Sequence, residues 1–206
     1  MKQNSESKLF LGIIVVTVAV IGAGMIFFSK PSPVIPRDKL ISADTPTKGL
    51  PTAKTYLVEF SDFQCPSCLT AKPFVDDLIN KYPDQLLFVY RHFPLSQHPF
   101  SRKAALSSIA AADQNKFWEM YEYLFANQEK LSDKVIASAA SELKLDLFLF
   151  ETSAASPSTT RKLEADIQVA TSLGVSYTPT FFLNGKKLNL VSFSDLTKEV
   201  EKAIQK

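Results

Sequence analysis

The sequence predicts an α/β domain with a helical insertion, carried behind one N-terminal transmembrane helix. Three features predict it. The run from Leu9 to Phe28 contains no charged residue. Short apolar, β-favouring runs stand on both sides of a long stretch with helical periodicity. Near the C-terminus Asn184-Gly185 separates two apolar runs, the strongest short-range signal for a hairpin.

At about 1.5 Å per residue, residues 9–28 reach roughly 30 Å, the thickness of a bilayer's hydrocarbon core. Gly22-Ala23-Gly24 offers a weak cleavage site, but Met25-Ile26-Phe27-Phe28 continue the apolar run past it. That favours an uncleaved signal-anchor over a cleaved signal peptide. No cysteine lies nearby to carry a lipid. Lys2 and Lys8 precede the span while Lys30, Arg37 and Lys39 follow it, so positive charge does not set the orientation. The short leading tail favours a cytoplasmic N-terminus with the domain outside the cell membrane, in the periplasm or at the cell exterior. Residues 1–30 thus form tail and anchor. Residues 31–52, with prolines at 31, 33, 36, 46 and 51, read as an extended linker.

Thr55-Tyr56-Leu57-Val58-Glu59-Phe60 reads as a buried strand. A helix follows Cys65-Pro66-Ser67-Cys68 to about Lys81, and residues 85–92 read as a second strand. Residues 53–98 form a first half on this reading. Residues 99–169 are a helical insertion: Phe117, Met120, Tyr121, Leu124 and Phe125 fall at helical spacing, as do Val135, Ile136, Ala139, Ala140 and Leu143 behind Ser132 as N-cap. A further helix starts at Pro157 and stops at Gly174. Residues 170–206 form a second half: strand 180–183, the Asn184-Gly185 turn, strand 187–191, and a last helix capped by Ser194 or Asp195.

Composition narrows the function. Hydrophobic residues make up 46% of the 206, enough for a sizeable core, so wholesale disorder is excluded. The net charge of +2 supplies no basic face for nucleic acid. None of the 6 glycines forms a phosphate-binding loop. The 2 cysteines, Cys65 and Cys68, close too short a loop to staple the fold. At the start of a helix, Cys65 meets unpaired N–H groups and the positive end of the dipole, which stabilise a thiolate. Cys68 lies one turn deeper on the same face, close enough to bridge. An accessible attacking thiol beside a sheltered resolving thiol is what disulfide exchange requires. A structural zinc site would need four ligands, and the only histidines besides the pair, His92 and His98, fit a finger neither in their mutual spacing nor in their distance from Cys68. These histidines read as local hydrogen-bonding groups, and Trp118 as core of the insertion.

The segment from Val58 to Cys68 resembles the active-site segment of the DsbA-like thiol–disulfide oxidoreductases, a branch of the thioredoxin superfamily. The segment from Leu173 through Thr178-Pro179 to Gly185 resembles that family's cis-proline loop and following hairpin. The resemblance implies a thioredoxin-like fold with an inserted helical domain from Ala53 to the C-terminus. It makes Cys65 the nucleophile, Cys68 the resolving thiol and Pro179 the cis-proline packed against them. Thr178 presents its backbone to substrate, and Glu59, a buried acid, exchanges the proton of Cys68. Pro66, Ser67, Phe63 and Tyr177 are the expected substrate contacts, with core packing an equal alternative for the two aromatic residues. Ser67 stands where the best-known periplasmic oxidants carry histidine.

The expected activity is extracytoplasmic disulfide exchange, most simply disulfide donation to cysteine-containing secreted or membrane proteins. No cofactor is expected, because the two cysteines carry the electrons. The resemblance implies a membrane electron acceptor of the DsbB or vitamin-K-epoxide-reductase-like kind. A reductase or isomerase using the same site is the alternative, which Thr178 leaves open; a redox-inert peptide- or metal-binding tether is the remoter one.

Overall fold

The computed structural model describes Phe10, residues 12–18 and residues 33–205. Residues 12–18 are helical, with Thr17 Oγ1 donating to the Ile13 carbonyl at 2.7 Å. Among the described residues no helix is long and apolar enough to cross a membrane, and most of the span expected at residues 9–28 lies outside them.

From Val34 onward the chain forms one unit. In order it contains α1 (Arg37–Leu40), β1 (Thr47–Gly49), β2 (Thr55–Ser61), α2 (Pro66–Lys81), β3 (Leu86–His92), α3 (Ser101–Ala112), α4 (Phe117–Ala126), a 3-10 turn (Gln128–Lys130), α5 (Asp133–Glu142), α6 (Leu147–Ala154), α7 (Pro157–Ser172), β4 (Thr180–Leu183), β5 (Lys186–Lys187) and α8 (Phe193–Ile204). The sheet order is β1-β3-β2-β4-β5. Only β2 and β3 run parallel, with Glu59 opposite Tyr90. The β1, β4 and β5 pairings are antiparallel.

Every residue of β2 and β3 is buried, because helices cover both faces of these central strands. Tyr56, Val58 and Phe60 pack with Leu87, Val89 and Phe182 on one face, beside Ala170 of α7. On the opposite face Leu57, Phe88 and Tyr90 meet α2, α4 and α8. The stripe Cys68, Ala71, Val75, Leu78 explains how α2 lies along that face, with its first turn at the end of β2. Alternation therefore turns Glu59 and Ser61 toward α2 and its cysteines, not toward water.

The linker expected at residues 31–52 is a misreading from Val34 onward. Ile35 N donates to Gly185 O at 2.7 Å, Leu40 is fully buried, and β1 extends the sheet. The prolines sit where the ladder asks nothing of them: Pro36 precedes α1, and the Pro46 carbonyl accepts Tyr90 N at 3.0 Å. Arg91 secures the segment. It pairs with Asp166 of α7 at 2.8 Å and donates to Leu40 O at 3.0 Å. Asp166 also accepts His92 N at 2.9 Å.

The turn at Asn184 (φ 48) and Gly185 (φ 81) closes the expected hairpin. A Cβ at Gly185 would stand 2.2 Å from Ile35 O, so glycine is required by contact as well as by dihedral. The expected strand 187–191 shrinks to Lys186–Lys187, after which Leu188 N still reaches Phe181 O. The last helix is capped by Ser192, two residues before the nearer of the expected caps. Ser192 is extended (φ −146, ψ 161) and closes a capping box with Asp195 at N3. Ser132 caps α5, and Gly174 (φ 67) follows α7.

His92 shows how the aromatic core titrates. Burial, with the Arg91 charge beside it, pushes its imidazole down to about 3. The unfolded chain takes up this proton near the ordinary value of about 6.5, and the fold refuses it until about 3. The stability from neutral His92 is therefore present above about pH 6.5 and lost as pH falls through about 3, at roughly 1.4 kcal/mol per pH unit. In His92→Phe, which suits the rings of Phe63, Tyr90 and Phe117 around it, urea unfolding across this window should lose about one proton of slope. An unchanged slope would reject the assignment.

Candidate active site

Cys65 is the N-cap of α2, with extended dihedrals (φ −81, ψ 119), and Pro66 occupies the first turn. The Cys65 carbonyl accepts Cys68 N at 3.0 Å and Leu69 N at 3.2 Å, which starts the helix and leaves its sulfur at the open N-terminus. Across from it the Thr178–Pro179 peptide bond is cis, as the resemblance implied. Cys65 Sγ donates to the Thr178 carbonyl at 3.3 Å. The pair and the proline loop, far apart in sequence, thus meet at one point.

The two thiols have opposite surroundings. A hydrogen bond from Cys68, outweighing the cost of burial and joined by the Thr178 side chain and the N–H groups of Cys68 and Ser67, holds the Cys65 thiol down at about 5. On ionising, Cys65 surrenders its bond to the Thr178 carbonyl. The Thr178 hydroxyl, buried and otherwise unpartnered, can then turn its proton toward the sulfur. Cys68, 1% exposed, is pushed well above its ordinary value by burial, by its bond to Cys65 and by the Glu59 charge. The arrangement gives a ready nucleophile and a sheltered thiol that needs a proton acceptor.

Glu59 is 2% exposed. Burial raises its carboxyl from 4.5 to about 8; the Ser61 hydroxyl pulls the other way, and the charges of Asp76 and Cys65 add to the rise. A carboxyl titrating there exchanges protons readily near neutrality.

Pro66 and Ser67 are exposed beside Cys65, while Thr178 is buried. Tyr177 is half-exposed and, with Ser67, Thr178, Pro179, Leu188 and Phe193, lines a depression of about 220 Å³ next to the pair. Phe63 is not in it. At 1% exposed it stacks on Tyr90 at 5.3 Å and packs against Phe125 at 5.1 Å, so its part as a substrate contact is corrected to core. A large apolar ring one turn before the helix is worth more inside than at the rim.

Three residues hold the loop without having been expected there. Asp62, its side chain fully buried, accepts Gln64 N at 2.8 Å, Leu95 N at 3.0 Å, His98 Nδ1 at 2.7 Å and the Ser101 hydroxyl. Gln64 Oε1 accepts Phe100 N at 2.8 Å. Gln128, from the 3-10 turn of the insertion, donates to Phe63 O at 2.9 Å and Cys65 O at 3.0 Å. Asp62 and Gln64 lie inside the motif and could have been suspected. Gln128 carries no local signal. Trp118, expected in the core, also donates from Nε1 to Thr47 O at 3.1 Å and so ties α4 to the edge strand. Among the described residues no cluster of His, Cys, Asp and Glu could hold a metal ion.

A mixed sheet with a CxxC at the N-terminus of the following helix, facing a cis-proline before an antiparallel hairpin, defines the thioredoxin class of fold. The thioredoxin family model matches residues 42–202, and the chain belongs to that family. Among solved structures it is similar to a thioredoxin-like oxidoreductase from Silicibacter pomeroyi (TM-score 0.72, 26% identity, covering 83% of this chain and 99% of that one). It is also similar in fold to the thiol-disulfide exchange protein alpha-DsbA2 of Wolbachia pipientis (TM-score 0.71, 21% identity, 81% and 91% covered). A third such structure is oxidised BdbD of Bacillus subtilis (TM-score 0.69, 22% identity, 86% and 100% covered). DsbA-like proteins thus stand among its structural neighbours. A Na(+)/H(+) antiporter NhaA 3 from Salinispora tropica is 38% identical over 141 residues, 68% of this chain. The chain spans only 22% of that relative's length.

Proposed function

We propose that this protein is an extracytoplasmic thiol–disulfide oxidoreductase that donates disulfides to cysteine-containing secreted or membrane proteins. The observation that carries the reading is the contrast within the pair: Cys65 held down at about 5, Cys68 raised by burial. A stabilised Cys65 thiolate favours the reduced enzyme, and an enzyme stable when reduced is a strong acceptor of electrons from substrate. The substrate thiolate attacks Cys65 Sγ and Cys68 departs. A second substrate thiolate then attacks the substrate sulfur of the mixed disulfide and releases Cys65 as thiolate. Ser67 and Tyr177 at the depression beside Pro179 suit an extended peptide carrying that thiol.

Residues 9–28 anchor the domain in the cell membrane in this reading, with the N-terminus in the cytoplasm. Reoxidation falls to a membrane electron acceptor of the DsbB or vitamin-K-epoxide-reductase-like kind, and the cysteines serve without a cofactor.

The test is the redox equilibrium of Cys65–Cys68 in the full chain against glutathione. A potential well above about −200 mV is expected for a donor. A value near about −270 mV would assign the same site to reduction or isomerisation. A pair that does not exchange would leave only a redox-inert tether.

A further inference from the structure

Beneath the cysteines lies a closed cluster of polar groups. Glu59 and Ser61 project from the same face of β2, and Tyr90 stands opposite Glu59 in the parallel register. Cys68 of α2 packs above them. Exposure is 2% for Glu59, 1% for Ser61, 0% for Tyr90 and 1% for Cys68. Ser61 Oγ and Tyr90 Oη are both buried without a well-formed hydrogen bond. The Ser61 hydroxyl is nevertheless close enough to bias the protonation of Glu59, Cys68 and Tyr90 alike. A hydroxyl both accepts and donates, and one committed to no single partner can turn between them. Leaving two such groups unsatisfied in a core is costly, and they lie beside the thiol whose proton must move.

We propose that the Ser61 hydroxyl is the proton conduit between Cys68 and Glu59, and that Tyr90 Oη is the positioning group that orients it. The inference rests on the exchange activity proposed above. When a substrate thiolate attacks Cys65 Sγ, the Cys65–Cys68 bond breaks and Cys68 leaves with the electron pair. Ser61 gives its hydroxyl proton to Cys68 Sγ while taking one from the Glu59 carboxyl. The products are a Cys68 thiol, a Glu59 carboxylate and Ser61 unchanged. The return path carries the Cys68 proton to Glu59 before Cys68 attacks a mixed disulfide at Cys65.

The groups facing this cluster set its pH range. From α2 come Cys65, Lys72 and Asp76, from β3 Tyr90, and from α4 Tyr121. Asp76 and Cys65 raise Glu59, while Lys72 lowers it.

The experiment is single-turnover reduction of the oxidised full chain by dithiothreitol from pH 5 to 9, read by acid quench and alkylation. Ser61→Ala is expected to slow reduction by about tenfold and to flatten its pH profile, the scale of a lost proton-transfer group. Ser61→Thr, which keeps the hydroxyl, should recover most of that rate. Tyr90→Phe keeps the ring stacked on Phe63 and removes an unpartnered hydroxyl. A purely structural tyrosine predicts unchanged kinetics and unchanged or greater stability for this variant. Slower exchange in an equally stable Tyr90→Phe protein supports the conduit. Ser61→Ala within about twofold of the parent, with the same pH profile, overturns it while leaving the exchange activity standing. A parent chain that does not exchange overturns both.

Discussion

Replacing Cys65 with serine is expected to lower disulfide exchange by at least about a thousandfold, the scale on which loss of a covalent nucleophile acts. The thiolate is formed because Cys68 and Thr178 stabilise it at the N-terminus of α2. A serine hydroxyl in the same place stays protonated and cannot enter a disulfide. Cys68→Ser should behave differently. Its Cys65 still attacks, but nothing resolves the product, so mixed disulfides with substrate proteins accumulate. Non-reducing electrophoresis after incubation with an oxidised substrate protein reads both outcomes. Retained multiple turnover in Cys65→Ser would refute the assignment of the nucleophile.

Asp62→Ala is expected to cost about 3–5 kcal/mol of folding stability, as removing one member of a buried charged network does. Four donors converge on this carboxylate from three separate pieces of chain: the motif itself, the turn after β3 and the start of α3. Alanine leaves them buried and unpaired. For a domain of this size the thermal midpoint should fall by roughly 10 °C or more. Asp62→Asn keeps two acceptor lone pairs and should lose less. Because the Asp62 side chain accepts Gln64 N at 2.8 Å, directly before Cys65, exchange should slow in Asp62→Ala even where the protein remains folded. Urea unfolding measures the first effect, and a loss below about 1 kcal/mol would show that the network is not holding the loop.

The sequence by itself determined those parts of the protein whose physics is local. A CxxC with Pro66 at its second position announces a helix N-terminus, and with it a thiolate. Asn184-Gly185 and Gly174 announce positive dihedrals, and Ser132 announces a cap. Glu59, six residues before Cys65, was legible as an acid of the site through the family motif. Tertiary structure decided what depends on distant chain. That Glu59 is buried follows from helices covering both faces of β2, which no window of β2 reveals. The prolines between 31 and 51 resembled a linker because composition cannot show that β1 finds an edge of β3 to pair with. Phe63 belongs to the core because α4 brings Phe125 to it. Gln128 grips the Cys65 carbonyl across 63 residues of chain. Ser61 and Tyr90 become a pair of idle hydroxyls only when two parallel strands bring them beneath Cys68. Local rules act through neighbouring dihedrals and fixed spacings, whereas burial and pKa depend on which surfaces meet, and that is settled when the chain closes on itself.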